Sequence, residues 1–435
     1  MDAETTGTTP QPHPDGASPH EDLPVLAAPR DGLVELVDTQ AGLDSAVGAL
    51  AAGTGPLAVD TERAQGFRYG SQAYLLQFRR AGAGTVLVDP LAFTDSAGVA
   101  QFPPLQQALR EVEWIIHAAS QDLPCLRMAG LYPTTLFDTE LAGRLLGLER
   151  VGLSAMVERF FGQRLLKEHS AANWSVRPIP EDWLVYASLD VELLVELREV
   201  LSEELTAAGK DEWARQEFEH VLASFAEPAP PRRDPWRRTN GMNLVKTAAG
   251  LAVVRELWGE RDQIARRLDL APGKVLPDKA ITELAATIST QAQLPGRDEL
   301  RRVEGFRRRQ AHRHESSWIA AIDRVATLTR DQLPPRRPPH DPSAISSPKS
   351  WERHEPEAFA RWNVVRPGVN ELAEQWQLPP ENLVSPDVLK RLTYRPPAQL
   401  SSESVGAALA ALGARPWQQE LSAEPLATML ADPTG

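Results

Sequence analysis

Four acidic side chains have the types and spacing needed to hold divalent cations. Asp60 and Glu62 end the apolar run PLAVDTE, and because side chains alternate along a strand, both project from one face. Asp122 follows the run EWIIHAASQ, and Asp190 lies in WLVYASLDVELL. Acids gathered at the end of an apolar strand destabilise the fold unless a cation offsets their charge. The pattern favours Mg²⁺ or Mn²⁺, since these ions prefer oxygen ligands, and argues against zinc.

A tyrosine accompanies the last acid. Tyr186 and Asp190 are four residues apart, so on a helix they face the same way, one turn from each other. Each residue also has an ordinary structural explanation: Asp60 could cap a turn, Asp122 could cap a helix, and Tyr186 with Asp190 could be surface partners. Taken singly, each motif is weak evidence. Their order and spacing together favour the metal site.

The segment that contains these acids alternates between strand and helix patterns. Five short apolar runs bounded by turn residues predict strands: GLVELVDT, PLAVDTE, AYLLQFRR, TVLVDP and EWIIHA. Amphipathic stretches between or after them predict helices: LDSAVGALAA, FPPLQQALREV, SQDLPCLRMAG, DTELAGRLLG and LSAMVERFFG. This alternation predicts an α/β domain with a mixed sheet. A long helix from Glu181 to about Ala208 should close it.

The rest of the chain consists of two helical blocks that repeat each other. LAPGKVLPDKAITELA, starting at Leu270, aligns without gaps on LPPENLVSPDVLKRLT, starting at Leu378, which predicts duplicated all-α domains. Proline-rich stretches without periodicity predict linkers. The predicted division is a disordered tail at 1–28, the α/β domain at 29–226, a linker at 227–243, a helical domain at 244–332, a linker at 333–350 and a second helical domain at 351–431.

The net charge of −13 argues at first sight against a nucleic-acid partner, because phosphate contacts come from Lys and Arg. Arginines nevertheless cluster in PRRDPWRR, RDELRRVEGFRRR and LPPRRPPH, so a local basic stripe can coexist with an acidic total. Trp236 and Phe306 lie within these runs and could stack on bases, although an arginine-rich helix face is more often simply solvated. Binding by these runs is therefore left open.

The single cysteine and the apolar runs limit which class of protein the sequence can encode. The single cysteine, Cys125, cannot form an internal disulfide and lacks the Cys and His neighbours of a structural zinc site, so we expect a buried, inert thiol. The sequence has no apolar run of membrane-spanning length, and its start lacks the pattern of a signal peptide. A cytoplasmic protein is expected.

Together these motifs resemble those of ribonuclease D, a family within the DEDD superfamily of 3′-to-5′ exonucleases, in the branch that carries a tyrosine in the third motif. The resemblance runs from about residue 34 onward, and the repeated blocks resemble the HRDC domains of that family. All four family acids and the tyrosine are present, which argues against an inactive relative. The matching stretches are AVDTE, HAASQDLPCL, FDTELAGRLLG around Asp138, and NWSVRPIPEDWLVYASLDVELL.

The resemblance implies a ribonuclease-H-like fold and hydrolysis of the 3′-terminal phosphodiester of RNA, which releases nucleoside 5′-monophosphates. Asp60, Glu62 and Asp190 would bind one divalent cation near the attacking water. Asp60 would also touch a second cation, which Asp122 would support directly or through water. The Tyr186 hydroxyl would orient the water. Single-stranded 3′ ends and tRNA precursors are the substrates implied, and we expect a monomer.

Four further residues are candidates for contact with the RNA. Lys167 and Arg177 lie in the loop before the last motif, where cations could meet phosphates, whereas Trp174 in the same loop is expected to pack beneath it. His117 belongs to the second motif and is either a substrate contact or a hydrogen-bonded core histidine. Gln77, in YLLQF, is expected in a core strand near the 3′ end.

Two alternatives stay open. An enzyme of the same chemistry could act on DNA, because metal ions act on the phosphate and do not distinguish sugars. Only the order of the domains favours RNA. A non-catalytic RNA-binding protein with the same fold would be favoured by loss of an acid, and none is lost.

Overall fold

A six-stranded mixed sheet forms the centre of the first domain. The computed structural model describes residues 23–432, with gaps at 33, 97, 166–168, 170, 289–293 and 337–343. The strands described are β1 (Val25–Leu26), β2 (Leu36–Val37), β3 (Thr54–Arg63), β4 (Ala73–Ala81), β5 (Gly84–Val88), β6 (Glu113–Ile116), β7 (Thr135–Asp138) and β8 (Arg164–Leu165). Six of them pair in the order β2-β5-β4-β3-β6-β7. The β3-β4 and β4-β5 pairs are antiparallel and the other three are parallel, which confirms the predicted mixed sheet.

Helices surround this sheet. They are α1 (Gln40–Ala52), α2 (Pro103–Ala108), α3 (Leu123–Met128), α4 (Thr139–Leu145), α5 (Leu153–Phe161), α6 (Glu181–Glu192), α7 (Leu194–Ala207) and α8 (Asp211–Ser224). The apolar faces of the central strands and of α7 meet in a core that contains Leu57, Trp114, Ile115, Leu197 and Leu201, all fully buried. Burial of this apolar surface fixes which face of β3 is left for its acids.

Three predictions for this domain need correction. The closing helix predicted from Glu181 to about Ala208 is two helices, α6 and α7, which break at Leu193 (φ −111°, ψ 7°), where the sequence has neither Gly nor Pro. Strand β7 was not predicted, because its four residues are too few to show a period. Within the predicted tail, Val25–Leu26 form β1 and pair with β8, and residues 1–22 lie outside the described part.

The remainder of the described chain is helical. The first helical domain contains α9 (Ala248–Leu268), α10 (Pro272–Val275), α11 (Asp278–Ala286), α12 (Arg297–Arg302), α13 (Glu304–Arg307), α14 (Arg309–Arg313) and α15 (Glu315–Ala326). The second contains α16 (Pro348–His354), α17 (Pro356–Gln375), α18 (Pro380–Leu383), α19 (Pro386–Tyr394), α20 (Ser402–Ala411) and α21 (Pro416–Ala431). Helices α9, α10 and α11 begin at a constant sequence offset from α17, α18 and α19, as the aligned repeat predicts.

The hydrophobic cores do not follow the sequence divisions. The second helical domain shares one continuous core with the α/β domain, where Trp213 of α8 stacks on Trp417 of α21 at 4.9 Å between ring centres. The first helical domain has a core of its own. The second helical domain, predicted as a separate unit, therefore packs into the core of the α/β domain.

The aromatic residues of the arginine-rich runs belong to this separate core. Trp236 is 5% exposed and Phe306 is 1% exposed. Neither ring can stack on a base without unpacking the domain, so the stacking interpretation of these runs is wrong. Residues 235–238, placed in a linker from the sequence, form a 3₁₀ turn that inserts Trp236 into the core. Among the described helices, none combines the length and apolar character needed to cross a membrane.

Candidate active site

Three carboxylates converge where β3 meets α6. Asp60 and Glu62 lie on β3, and Asp190 comes from α6. Ligand oxygens of the three side chains all lie within 4.8 Å of one another, as predicted for a shared cation. The described residues contain no other group of three His, Cys, Asp or Glu side chains with this geometry. The alternation of β3 and the position of α6 over the sheet therefore produce the cluster.

Asp122 lies beside this group. It follows a short 3₁₀ turn, Ala119–Gln121, and precedes α3. Its carboxylate accepts a hydrogen bond of 2.6 Å from the hydroxyl of Thr61, the residue between the two β3 acids. The Cys125 thiol lies 3.1 Å from the same hydroxyl and is buried, and burial raises its pKa to about 12. This matches the inert thiol expected from the sequence.

The four acids hold their protons more tightly than ordinary carboxyls because they are poorly solvated and close together. Burial, reinforced by neighbouring acids, raises the pKa of Asp190 to about 7 and that of Glu62 to about 10. Burial also raises the pKa of Asp122 to about 6 and holds the pKa of Asp60 well above its ordinary value. Arg63, whose guanidinium donates to the Gln121 carbonyl at 2.7 Å, offsets part of this charge. One arginine against four acids leaves a negative site that suits hard cations.

Tyr186 is fixed at the edge of the cluster. Its hydroxyl is hydrogen-bonded to Asp190, and burial together with the nearby acids raises its pKa, so it stays protonated. Its ring packs edge-on against His169 at 5.8 Å and beside Trp174 at 6.4 Å. Trp174 is fully buried, in agreement with the expected packing role. The phenol therefore presents a fixed hydroxyl next to the Asp190 carboxylate.

Two of the predicted RNA contacts, Gln77 and Arg177, form hydrogen bonds within the protein instead. Gln77 is fully buried, and its amide nitrogen donates to Asp60 at 3.3 Å, so it orients that acid. Arg177 directs two hydrogen bonds, of 2.6 and 2.7 Å, to Asp89 and three more to backbone carbonyls. Five N–H groups are the full donor capacity of a guanidinium. A phosphate could contact Arg177 only by breaking these bonds.

The other two predicted RNA contacts are His117 and Lys167. His117 Nδ1 lies 2.9 Å from the Thr139 hydroxyl, and burial lowers the pKa of this histidine to about 4, so the ring is neutral near pH 7. That placement matches a hydrogen-bonded core histidine and leaves Nε2 for a polar contact. Lys167 lies outside the described residues.

Several residues that support the site were not predicted from the sequence. Asp138 caps α4 and accepts from the backbone N–H groups of Ala118 and Ala119, at 3.1 and 2.9 Å, just before Asp122. The Asp before Thr-Glu-Leu-Ala is a helix-cap signal that was available in the sequence. Glu192, fully buried two residues after Asp190, accepts from Arg30 at 2.7 Å. No sequence signal links that pair, because it joins distant parts of the chain.

Comparison with known proteins places this geometry in a family. Residues 34–206 match the model of a 3′-5′ exonuclease domain, residues 250–322 an HRDC domain, and residues 344–430 a 3′ to 5′ exonuclease C-terminal domain. Ribonuclease D of Gluconacetobacter diazotrophicus is 28% identical over 79% of this chain and 82% of its own length. The chain is therefore similar to ribonuclease D in the type and order of its domains. Its nuclease domain is a 3′-5′ exonuclease domain.

A further relative and two solved structures are also similar to this chain. Ribonuclease D of Jannaschia sp. is 33% identical over 53% of the chain, and the match spans just over half, 59%, of that relative. A protein from Bifidobacterium adolescentis has a similar structure, with a TM-score of 0.84 at 36% identity, over 94% of this chain and 100% of that one. Escherichia coli ribonuclease D shares the fold, with a TM-score of 0.64 at 24% identity over 92% and 99%.

Proposed function

We propose that this chain is a metal-dependent 3′-5′ exoribonuclease that removes nucleoside 5′-monophosphates one at a time from RNA. The observation that carries the proposal is the convergence of Asp60, Glu62 and Asp190 within 4.8 Å in a 3′-5′ exonuclease domain. Relatives named ribonuclease D support RNA over DNA. Single-stranded 3′ ends of tRNA precursors are the proposed substrates, and a monomer is the proposed state.

The residues present fit two divalent cations. Asp60, Glu62 and Asp190 would hold one, and Asp60 with Asp122 would hold the other. When bound, Mg²⁺ or Mn²⁺ ions would lower the pKa of the attacking water and neutralise charge on the scissile phosphate. The donor set consists of buried carboxylate oxygens with one nearby arginine, which is the chemistry that these ions prefer.

The chain's own contribution is to hold groups in place before the reaction. The Tyr186 hydroxyl, fixed against Asp190, would orient the attacking water, since it stays protonated and its ring is packed. Gln77 holds Asp60, and Thr61 holds Asp122. Such positioning supplies rate because the groups need not reorganise at the moment of reaction.

A product assay tests this proposal. The protein is incubated with RNA and DNA of the same sequence, labelled at the 5′ or the 3′ end, with Mg²⁺, Mn²⁺ or EDTA. A 3′-5′ exoribonuclease should shorten 5′-labelled RNA stepwise, release labelled mononucleotide first from 3′-labelled RNA, and do neither in EDTA. Faster degradation of DNA would favour the DNA alternative. Binding without degradation in any metal would favour the non-catalytic one.

A matched pair of variants ties the activity to the site. Asp190→Asn should abolish the products, whereas Glu199→Gln, which removes an exposed acid from α7 nearby, should leave them unchanged.

A further inference from the structure

One face of α17 in the second helical domain is open. Phe359, Trp362, Asn363, Arg366 and Asn370 recur at helical spacing and so lie on the same side of this helix. They line a groove of about 670 Å³. Trp362 is half-buried, while Asn363, Arg366 and Asn370 are exposed. The groove is completed by the first residues of α16 and by α18 and α19.

The repeated domain shows that the fold does not require this opening. By the constant offset of the repeat, Phe359 and Trp362 of α17 correspond to Leu251 and Val254 of α9. Both of those residues are buried in the core of the first helical domain, where Trp236 also packs. The same helix face is therefore closed in one copy and open, with an aromatic ring on it, in the other.

The groove offers groups that the described part of the protein leaves unused. Lys349 and Arg366 line it, and neither is paired with an acid among the described residues. The Arg366 guanidinium carbon lies 6.0 Å from the centre of the Trp362 ring. The acid of the lining, Glu381, has a cation at 4.0 Å, Arg144 of the nuclease domain. The local charge is thus positive although the chain as a whole carries −13.

The side-chain amides of Asn363 and Asn370 also have no hydrogen-bond partner among the described residues, and each combines donors with an acceptor. An aromatic face flanked by cations and amides is the combination that proteins use for unpaired nucleotides. Bases stack on the ring, phosphates meet the cations, and amides contact base edges. An acidic peptide would lack the flat bases that stack on such a ring.

We propose that this groove binds single-stranded RNA upstream of the 3′ end that enters the active site. Trp362 stacks on a base, and Lys349 and Arg366 contact phosphates. The inference rests on the proposed function, because it requires RNA to be the substrate. The groove is also distinct from the arginine-rich runs, because the aromatic residues of those runs, Trp236 and Phe306, are buried in the first helical domain.

The test measures binding of the full-length chain in EDTA, where RNA is not degraded, by fluorescence anisotropy. The probe is a labelled oligoadenylate of about 20 nucleotides, longer than one typical single-strand site. Lys349→Gln with Arg366→Gln should weaken binding about tenfold and reduce the slope of log affinity against log salt by about 1.4, since each single-strand phosphate contact contributes about 0.7. Trp362→Leu should weaken binding about tenfold, whereas Trp362→Phe, which keeps a ring, should change it less than about threefold.

The matched control removes two charges elsewhere. Arg110→Gln with Lys279→Gln takes two exposed cations that lie outside both the groove and the arginine-rich runs, and affinity should stay within about twofold of wild type. An equal loss in both double variants would overturn the groove, since net charge alone would explain it. Wild-type affinity in the Lys349/Arg366 and Trp362→Leu variants would also overturn it and would assign the open face to a protein partner.

Hydrolysis separates this inference from the proposed function. All groove variants should cleave an RNA of about 4 nucleotides at the wild-type rate with Mn²⁺, because so short a chain fills only the nuclease site. If the wild-type chain does not cleave RNA, the proposed function fails. If it does and the groove variants bind long RNA like wild type, only the groove inference fails.

Discussion

This protein contains two clusters of buried charged groups, which differ in whether each charged group has a partner. At the contact between α8 and the second helical domain, Glu217 accepts hydrogen bonds from Arg415 at 2.6 Å and from the Trp417 indole at 2.9 Å. Lys210 donates to the carbonyls of Leu145 and Trp376, both at 2.8 Å. Every charge in this cluster has partners, and the cluster joins two parts of the chain.

The active-site acids, in contrast, are buried with too few partners. Asp60, Glu62, Asp122 and Asp190 all have raised pKa values, and Arg63 is the cation that lowers the pKa of three of them. Burial of charge alone therefore does not mark a functional site. What distinguishes the two clusters is compensation: a compensated cluster stabilises the fold, and an uncompensated one is completed by a ligand.

The largest effect should come from removing a charge at the uncompensated cluster. Asp190→Asn should reduce hydrolysis of RNA by more than about 10³-fold, because it deletes a metal-binding charge that no neighbour replaces. The fold should persist, which circular dichroism can check. Hydrolysis near the wild-type rate would remove Asp190 from the metal site.

The opposite result is expected at the compensated cluster. Glu217→Ala should lower the free energy of unfolding by about 3 kcal/mol, because it leaves the partly buried Arg415 guanidinium and the buried Trp417 indole N–H without their acceptor. Urea denaturation measures this change. The isosteric Glu217→Gln keeps an acceptor and should cost less. Hydrolysis of short RNA per folded molecule should not change, and a large loss of rate with little loss of stability would contradict the comparison.

A smaller effect on rate is expected for the tyrosine. Tyr186→Phe should lower kcat about 10²-fold through loss of the water-orienting hydroxyl, while the affinity for Mn²⁺ stays nearly unchanged. Calorimetric titration with Mn²⁺ gives the affinity. If affinity fell as far as the rate, Tyr186 would act as a support for Asp190.

The smallest effect is a dependence of metal-free stability on pH. Because the folded state raises the carboxyl pKa values, it retains protons that the unfolded chain releases near pH 4, so stability falls as pH rises through the folded values. In EDTA, the melting temperature should therefore decrease between about pH 5 and about pH 8, a window set by the pKa values of Asp122 and Asp190. Asp190→Asn should show a weaker decrease. A melting temperature that rises over this window in both proteins would mean that the acids are compensated after all.

The closeness of the acids, and of Tyr186 to Asp190, was predictable from the sequence because the signals are local. Asp60 and Glu62 follow from strand alternation, and Tyr186 and Asp190 from helical spacing. Features that depend on long-range contacts were missed. Examples are the hydrogen bond between Thr61 and Asp122 and the ion pair that engages Arg177 with Asp89. The shared core of the nuclease and second helical domains was missed for the same reason, since a proline-rich linker shows where a domain begins but not where it packs.

Thermal unfolding of Asp60→Asn shows whether the four acids are held together to bind a cation. The substitution removes one repelling charge and leaves an acceptor for Gln77. The variant should melt at a higher temperature than wild type in EDTA. Mn²⁺ should raise the melting temperature of wild type but not that of the variant. A variant that is less stable than wild type in EDTA, or that gains as much stability from Mn²⁺ as wild type does, would show that the acids are not held together to bind a cation.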